Sequence, residues 1–226
     1  MTEAPENRIE DAILDAIAEQ RLPAGTKLGE QVLSELFDCN RANVRRALAS
    51  LAGQHIVELR PNRGAFVVTP TPQEARDIFQ ARRAIERTIA REAAKHATVE
   101  DIRKLREIIE EEAQARATAR KPLELRLSRQ FHIQLAKIAG NHVLERFLAE
   151  LTMRSTLILG LYSSGGASQC SEDEHTEIVN ALEKGDAEAL SHLIDEHLQH
   201  LEADLSFDRP KQIGFGLAQA LVSPSY

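Results

Sequence analysis

The stretch NRANVRRALASLAGQHIVELRPNRGAFV, residues 40–67, decides how the N-terminal part of this chain is read. Asn40 is a strong helix N-cap, and Val44, Ala47, Leu48 and Leu51 share one face of a helix over 41–53 that Gly53 closes. Two β-rich runs follow, 55–60 and 65–69, and Pro61-Asn62-Arg63-Gly64 between them predicts a hairpin. Upstream, Ile9, Ala12, Ile13, Ala16 and Ile17 form the stripe of a helix over 7–20, which Leu22-Pro23-Ala24-Gly25 ends. A short helix near 30–37 carries Val32, Leu33, Leu36 and Phe37, and Asp38-Cys39 makes the turn into the decisive stretch.

Three helices and then a hairpin is the order of a winged helix-turn-helix. In that arrangement the second helix of the turn offers its N-terminal residues to base edges in the major groove. Arg41 follows the cap, Arg45 lies one turn on, and Arg46 stands beside them; the wing supplies Arg63, and Gly64 lets the turn approach phosphates closely. The whole chain has a net charge of −7, which disfavours DNA, yet residues 38–66 hold five arginines (41, 45, 46, 60, 63) against Asp38 and Glu58. Charge alone fits a solvated helical domain with surface arginines equally well; the ordered elements point to a duplex.

Beyond Thr69-Pro70-Thr71-Pro72, a stiff linker, the pattern is helical, with helices expected near 73–96, 99–119, 122–139, 141–163, 171–184 and 186–205. The expected architecture is mainly α. Residues 1–70 form a winged helix-turn-helix domain, 71–206 an antiparallel bundle of about six helices, and 207–226 an irregular tail. No apolar run is long enough to span a bilayer, and the N-terminus carries no export pattern. Cys39 and Cys170 are too few for a disulfide framework, so the expected compartment is the cytoplasm; Cys39 reads as a buried thiol rather than a redox sensor.

Inside the bundle, polar residues fall on apolar stripes. His132 shares a face with Leu125, Ser128, Leu135 and Ala139; His175 with Val179 and Leu182; His197 with Leu190, Leu193 and Leu201. A lone inward histidine is usually a satisfied core residue. Three converging imidazoles suit zinc or nickel. Arg82 lies in the stripe Ala75, Ile78, Ile85, Ile89 and needs an anion, with Glu86 one turn on as internal partner. Arg154 lies in a similar stripe with Phe147, Leu151, Ile158 and Leu161, and reads equally as a rim or interface arginine. The other histidines read as surface or hairpin residues, and Glu110-Glu111-Glu112 as a solvated face.

The N-terminal stretch resembles the DNA-binding domain of the GntR family of bacterial repressors. The resemblance rests on Leu-Pro-x-Gly-x-x-Leu (Leu22 to Leu28), Asn-Arg-x-x-Val-Arg-x-Ala-Leu (Asn40 to Leu48) and Pro-x-Arg-Gly (Pro61 to Gly64). It implies DNA contacts from Arg41, Arg45 and Gly64. Asn40, Asn43 and Arg46 replace the usual Ser, Pro and Glu, and the candidate contact set is Arg41, Asn43, Arg45, Arg46, Arg63 and Gly64. Residues 73–205 resemble the all-helical, FCD-like effector domain of the FadR-type subgroup through Arg82-Arg83-Ala84-Ile85-Glu86, Phe131-His132, Gly140-Asn141, Glu174-His175 and His197-Leu198. That resemblance implies that His132, His175 and His197 meet at a divalent metal, and that Arg82 faces an effector carboxylate. Ser128 stands where many relatives carry a fourth, aspartate ligand.

The expected function is a homodimeric transcriptional regulator, a repressor by resemblance, that binds a pseudo-palindromic operator in double-stranded DNA. A small carboxylate bound by Arg82, Arg154 and Ser128 near the metal controls it. Two other readings stand beside this one: a regulator whose signal is the metal itself, and a metal-dependent hydrolase. No H-E-x-x-H is present, and no catalytic set is expected.

Overall fold

The computed structural model describes residues 4–18, 21–163, 174–207 and 217–221. The N-terminal elements are α1 (Pro5–Ala18), β1 (Lys27–Leu28), α2 (Glu30–Leu36), α3 (Arg41–Gly53), β2 (Val57–Arg60) and β3 (Gly64–Val67). Asn40 caps α3 as expected, its side chain accepting from Asn43 N at 3.0 Å. The hairpin register pairs Arg60 with Gly64, and positive φ at Asn62 (59°) and Gly64 (94°) turns the wing. A third strand, β1, was not expected. It pairs with β3 through Lys27–Phe66 and Leu28–Ala65, giving the antiparallel order β1-β3-β2. Two residues are too few to carry a period.

The bundle comprises α4 (Pro72–His96), α5 (Val99–Ala117), α6 (Lys121–Ile138), α7 (His142–Tyr162), α8 (Glu174–Glu183) and α9 (Ala187–Ala203). Reciprocal Thr71/Glu74 and Thr98/Asp101 capping boxes start α4 and α5. Asn141 caps α7 directly after Gly140, whose φ of +71° breaks the chain between α6 and α7. The linker is more than a spacer. Thr71 and Pro72 begin α4, and Pro70 O accepts a 2.7 Å hydrogen bond from the Tyr162 hydroxyl at the end of α7.

Two apolar cores result. One joins Ile9, Ile13, Leu33, Val44, Leu48, Leu51 and Val67 of the N-terminal elements; the other fills the bundle around Phe79, Phe131, Leu135, Ile158, Ile178, Ile194 and Leu198. Met153 and Leu157 of α7 are buried in the first core, so the bundle contributes to the core of the winged domain. The tail is not wholly irregular: α10 (Leu217–Leu221) buries Ala220 and Leu221 in that same core. Cys170 and the remainder of the tail beyond Phe207 lie outside the described residues, as does most of the loop expected after Ser163. Among the described residues no helix is long and apolar enough to cross a membrane.

Candidate functional site

The face built by α3 and the wing carries the basic candidates. Arg41, Arg45 and Arg46 are exposed on the first turns of α3, and Arg63 and Gly64 are exposed at the wing. Two acids hold the arginines in place: Arg45 Nε lies 2.9 Å from Glu30 Oε2 of α2, and Arg46 Nη2 3.3 Å from Glu6 Oε1 of α1. Arg46 Nη2 also donates to Asn43 Oδ1 at 3.1 Å, so Asn43 serves the helix cap and orients its neighbour. These exposed pairs are weak and can be exchanged for phosphate contacts. Lys27 on β1 was missed as a candidate; a Cβ placed on Gly64 would stand 3.7 Å from its Cε, so a further cation flanks the wing.

The second site lies inside the bundle. His132 of α6, His175 of α8 and His197 of α9 are all buried, and each offers one ring nitrogen within 4.8 Å of the others'. His197 Nε2 and His132 Nε2 are 3.3 Å apart. On the far side of each ring a carboxylate faces Nδ1: Glu86 at 2.6 Å for His132, Glu112 at 2.7 Å for His175, and Glu174 at 2.8 Å for His197. A carboxylate on Nδ1 fixes the tautomer that leaves Nε2 with its lone pair. His175 is also stacked on Phe131 at 4.2 Å between ring centroids. Glu174 is shared with the exposed His200 at 2.6 Å.

The electrostatics follow from burial. Desolvation pushes His197 down to about 3, with Glu174 offsetting only part of it. It also lowers His132, against the pull of Glu86. Burial would raise the Glu86 carboxyl, but Arg82 and His132 outweigh it and hold it at about 2. His132 and His197 are thus held towards the neutral form and the three carboxylates towards the anion, the protonation states that metal ligation needs.

Glu112 corrects the reading of residues 110–112 as a solvated face. It is buried and holds His175, because Ile102, Leu105, Ile108, Glu112 and Ala115 form the buried stripe of α5. That spacing was the signal available in the sequence.

Beside the triad is a cavity of about 30 Å³, lined by Arg82, Ser128, His132, Thr152, Ser155 and Thr156 among others. Arg82 is buried and paired internally as expected. Its Nε donates to Glu86 Oε1 at 2.7 Å and its Nη1 to Ser155 Oγ at 2.9 Å. Several buried donor or acceptor atoms here, among them Arg82 Nη2, Glu112 Oε1, Arg129 Nε and His175 Nε2, have no hydrogen-bond partner among the described residues. Arg154 is not among the described residues that line this cavity. It lies 3.6 Å from Glu150 of its own helix, and the inward face of α7 there is Thr152, Ser155, Thr156 and Leu159.

Comparison with known proteins agrees with this two-part layout. Residues 5–67 match the family described as bacterial regulatory proteins, gntR family, and residues 77–200 match the FCD domain. The HTH-type transcriptional repressor RspR of Escherichia coli strain K12 is 30% identical over 182 residues, 78% of each chain. The HTH-type transcriptional regulator LutR of Bacillus subtilis strain 168 is 25% identical over 207 residues, 82% of this chain and 94% of that one. The solved structure of E. coli McbR/YncC superposes with a TM-score of 0.80 at 20% identity, covering 90% of this chain and 97% of the other, a likeness of fold. The chain belongs to the GntR family of DNA-binding transcriptional regulators, in the group whose C-terminal part is an FCD domain.

Proposed function

We propose that this regulator binds a pseudo-palindromic operator as a homodimer, reading it with Arg41, Asn43, Arg45 and Arg46 of α3 and anchoring it with Arg63 and Gly64 of the wing. A small carboxylate, held in the bundle cavity by Arg82 and Ser128 beside a divalent metal on His132, His175 and His197, controls that binding. We place the division of labour at residues 1–70 and 71–206, in a cytoplasmic protein. The observation that carries the sensing half is the pair of buried, partnerless atoms at the triad. An unsatisfied Arg82 Nη2 and His175 Nε2 cost free energy that a metal and an anion would recover.

The residues present fit zinc or nickel. A tetrahedral ion with bonds of about 2.0–2.1 Å sets its ligand nitrogens about 3.4 Å apart, near the 3.3 Å between His132 and His197. Bound there, the ion would supply a Lewis-acidic centre for carboxylate oxygen; Ser128 brings no fourth charge, which leaves room for that oxygen.

A second reading, the metal itself as signal, draws support from the small volume of the cavity. One titration separates the two. Purified full-length protein is mixed with genomic fragments and zinc, with and without candidate acids, and sequence-preferring binding is read by gel shift. A response only when an acid is present supports the carboxylate. Switching by zinc alone supports the metal, and no sequence-preferring binding at moderate salt rejects both. In the same assay Arg45→Ala is expected to weaken operator binding roughly tenfold or more, the loss of a charge-assisted contact; wild-type affinity would count against α3 as the reading helix.

A further inference from the structure

We propose that Ser155 and Thr156 of α7 are the trigger of the effector response. Their hydroxyls leave a carbonyl of their own helix for an anion in the cavity, and the change in α7 reaches the winged domain through Met153 and Leu157. This rests on the reading of the cavity as an anion site. Thr152, Ser155 and Thr156 line that cavity and are buried. All three hydroxyls nevertheless donate backwards along α7: Thr152 to Ala149 O at 3.1 Å, and Ser155 and Thr156 both to Thr152 O at 2.9 Å.

Thr152 O is oversubscribed. As a carbonyl inside α7 it also faces the helix amide four residues on. A carbonyl has two lone pairs for those three donors, so either hydroxyl gives up its bond at little cost. Ser155 Oγ in addition accepts from Arg82 Nη1 at 2.9 Å, and Arg82 Nη2 is buried with no hydrogen-bond partner among the described residues. A carboxylate only accepts. Beside Arg82 it meets a guanidinium and two hydroxyls that can turn towards it, and bonds to its charge are stronger than those to a neutral carbonyl.

Hydroxyl bonds to the preceding turn bend a helix, so releasing them changes the course of α7. Met153 and Leu157, each one residue on from a cavity threonine, are buried in the core of the winged domain. Helix α7 packs on α1 as well as on α4 and α6, and its last residue, Tyr162, holds the linker through Pro70 O at 2.7 Å. One helix therefore touches the cavity, the core of the winged domain and the linker between them. A ligand moves an equilibrium only through a difference in its interaction with two states; hydroxyls turned to the anion or to Thr152 O are that difference.

The chain has two methionines, Met1 and Met153, so labelling their methyl groups with carbon-13 makes Met153 one of two resonances. Full-length protein with zinc in excess is titrated with malonate, by calorimetry and by methyl NMR. The Met153 resonance is expected to move along the calorimetric binding curve. Thr156→Val, close in shape but without the hydroxyl, is expected to weaken malonate roughly tenfold and to show a smaller Met153 displacement at saturation. Thr156→Ser is expected to restore both, and Thr156→Ala, read in parallel, to behave as the valine variant does, which separates the hydroxyl from a packing fault. A Met153 resonance unmoved at saturation overturns the transmission. Wild-type affinity and displacement in Thr156→Val overturn the trigger. In either case malonate binding that Arg82→Gln abolishes leaves the anion site standing. Failure of the wild type to bind malonate overturns both.

Discussion

At the scale of single residues, the buried histidine cluster is defined by what stands behind its rings. Each Nδ1 faces its own carboxylate, so substitution behind a ring should act on the metal without removing a ligand. Glu112→Gln keeps the size of the side chain and removes the charge behind His175; zinc affinity is expected to fall 10- to 100-fold, about the effect of losing such a partner. A competition titration against a chromophoric chelator measures it, and unchanged affinity would mean that the carboxylates serve packing alone. The same burial predicts an acid-sensitive metal-free protein. His197 titrates at about 3 folded against 6.5 in the open chain, so between those values the unfolded state takes up a proton that the native state refuses. Stability therefore falls as pH drops through that window, by up to about 1.4 kcal/mol per pH unit for this group. Glu86, held at about 2 against 4.5, adds stability that is present above 4.5 and lost towards 2, the same direction. Chemical denaturation of metal-free protein from pH 7 to 4 reads the His197 contribution, and extending it towards pH 2 adds that of Glu86; a flat profile from pH 7 to 4 would contradict the burial of the site.

At the scale of elements, the helices with one apolar face were legible, and so was the inward placement of His132, His175 and His197, which follows from a period of 3.6 without knowledge of their neighbours; that the three meet was implied only by the family resemblance. What escaped depends on tertiary contact. Strand β1 exists because β3 offers it an edge. Helix α7 faces both cores, with Leu148 and Ile158 in one and Met153 and Leu157 in the other, so its sequence is apolar around most of its girth. The stripe that assigned Arg154 to the cavity was one of several that could be drawn, and it included Phe147, which is 55% exposed. Helix α10 is too short to be stable by itself, and it persists by burying Ala220 and Leu221 in the core of the winged domain. Leu221→Ala should therefore cost about 2 kcal/mol, lowering the thermal midpoint by roughly 5 °C, whereas the exposed Gln219→Ala should leave it unchanged. Calorimetry of both variants decides whether the end of the chain is a structural part of the DNA-binding domain.

At the scale of the whole molecule, an acidic chain must meet a polyanion through one small basic face. The net charge of −7 repels a duplex at long range, while five arginines between residues 38 and 66 attract it at contact. Affinity then depends on how many of those cations reach phosphate, and each phosphate neutralised adds about −0.9 to the slope of log affinity against log salt. Arg63 stands exposed at the wing and its guanidinium carbon lies 5.9 Å from the Phe66 ring, a contact it can leave at little cost. Arg45 is different, because Glu30 already holds it at 2.9 Å and must release it before it can touch DNA. Two substitutions therefore separate. Arg63→Ala, present twice in the proposed dimer, should lower the magnitude of the salt slope by about 2 units with little change in sequence preference. Glu30→Gln should raise affinity at every salt concentration by sparing the exchange. Fluorescence anisotropy across a salt series gives both slopes. An unaltered slope for Arg63→Ala would remove the wing from the interface, and weaker binding by Glu30→Gln would show that the acid positions Arg45 for the duplex instead of competing with it.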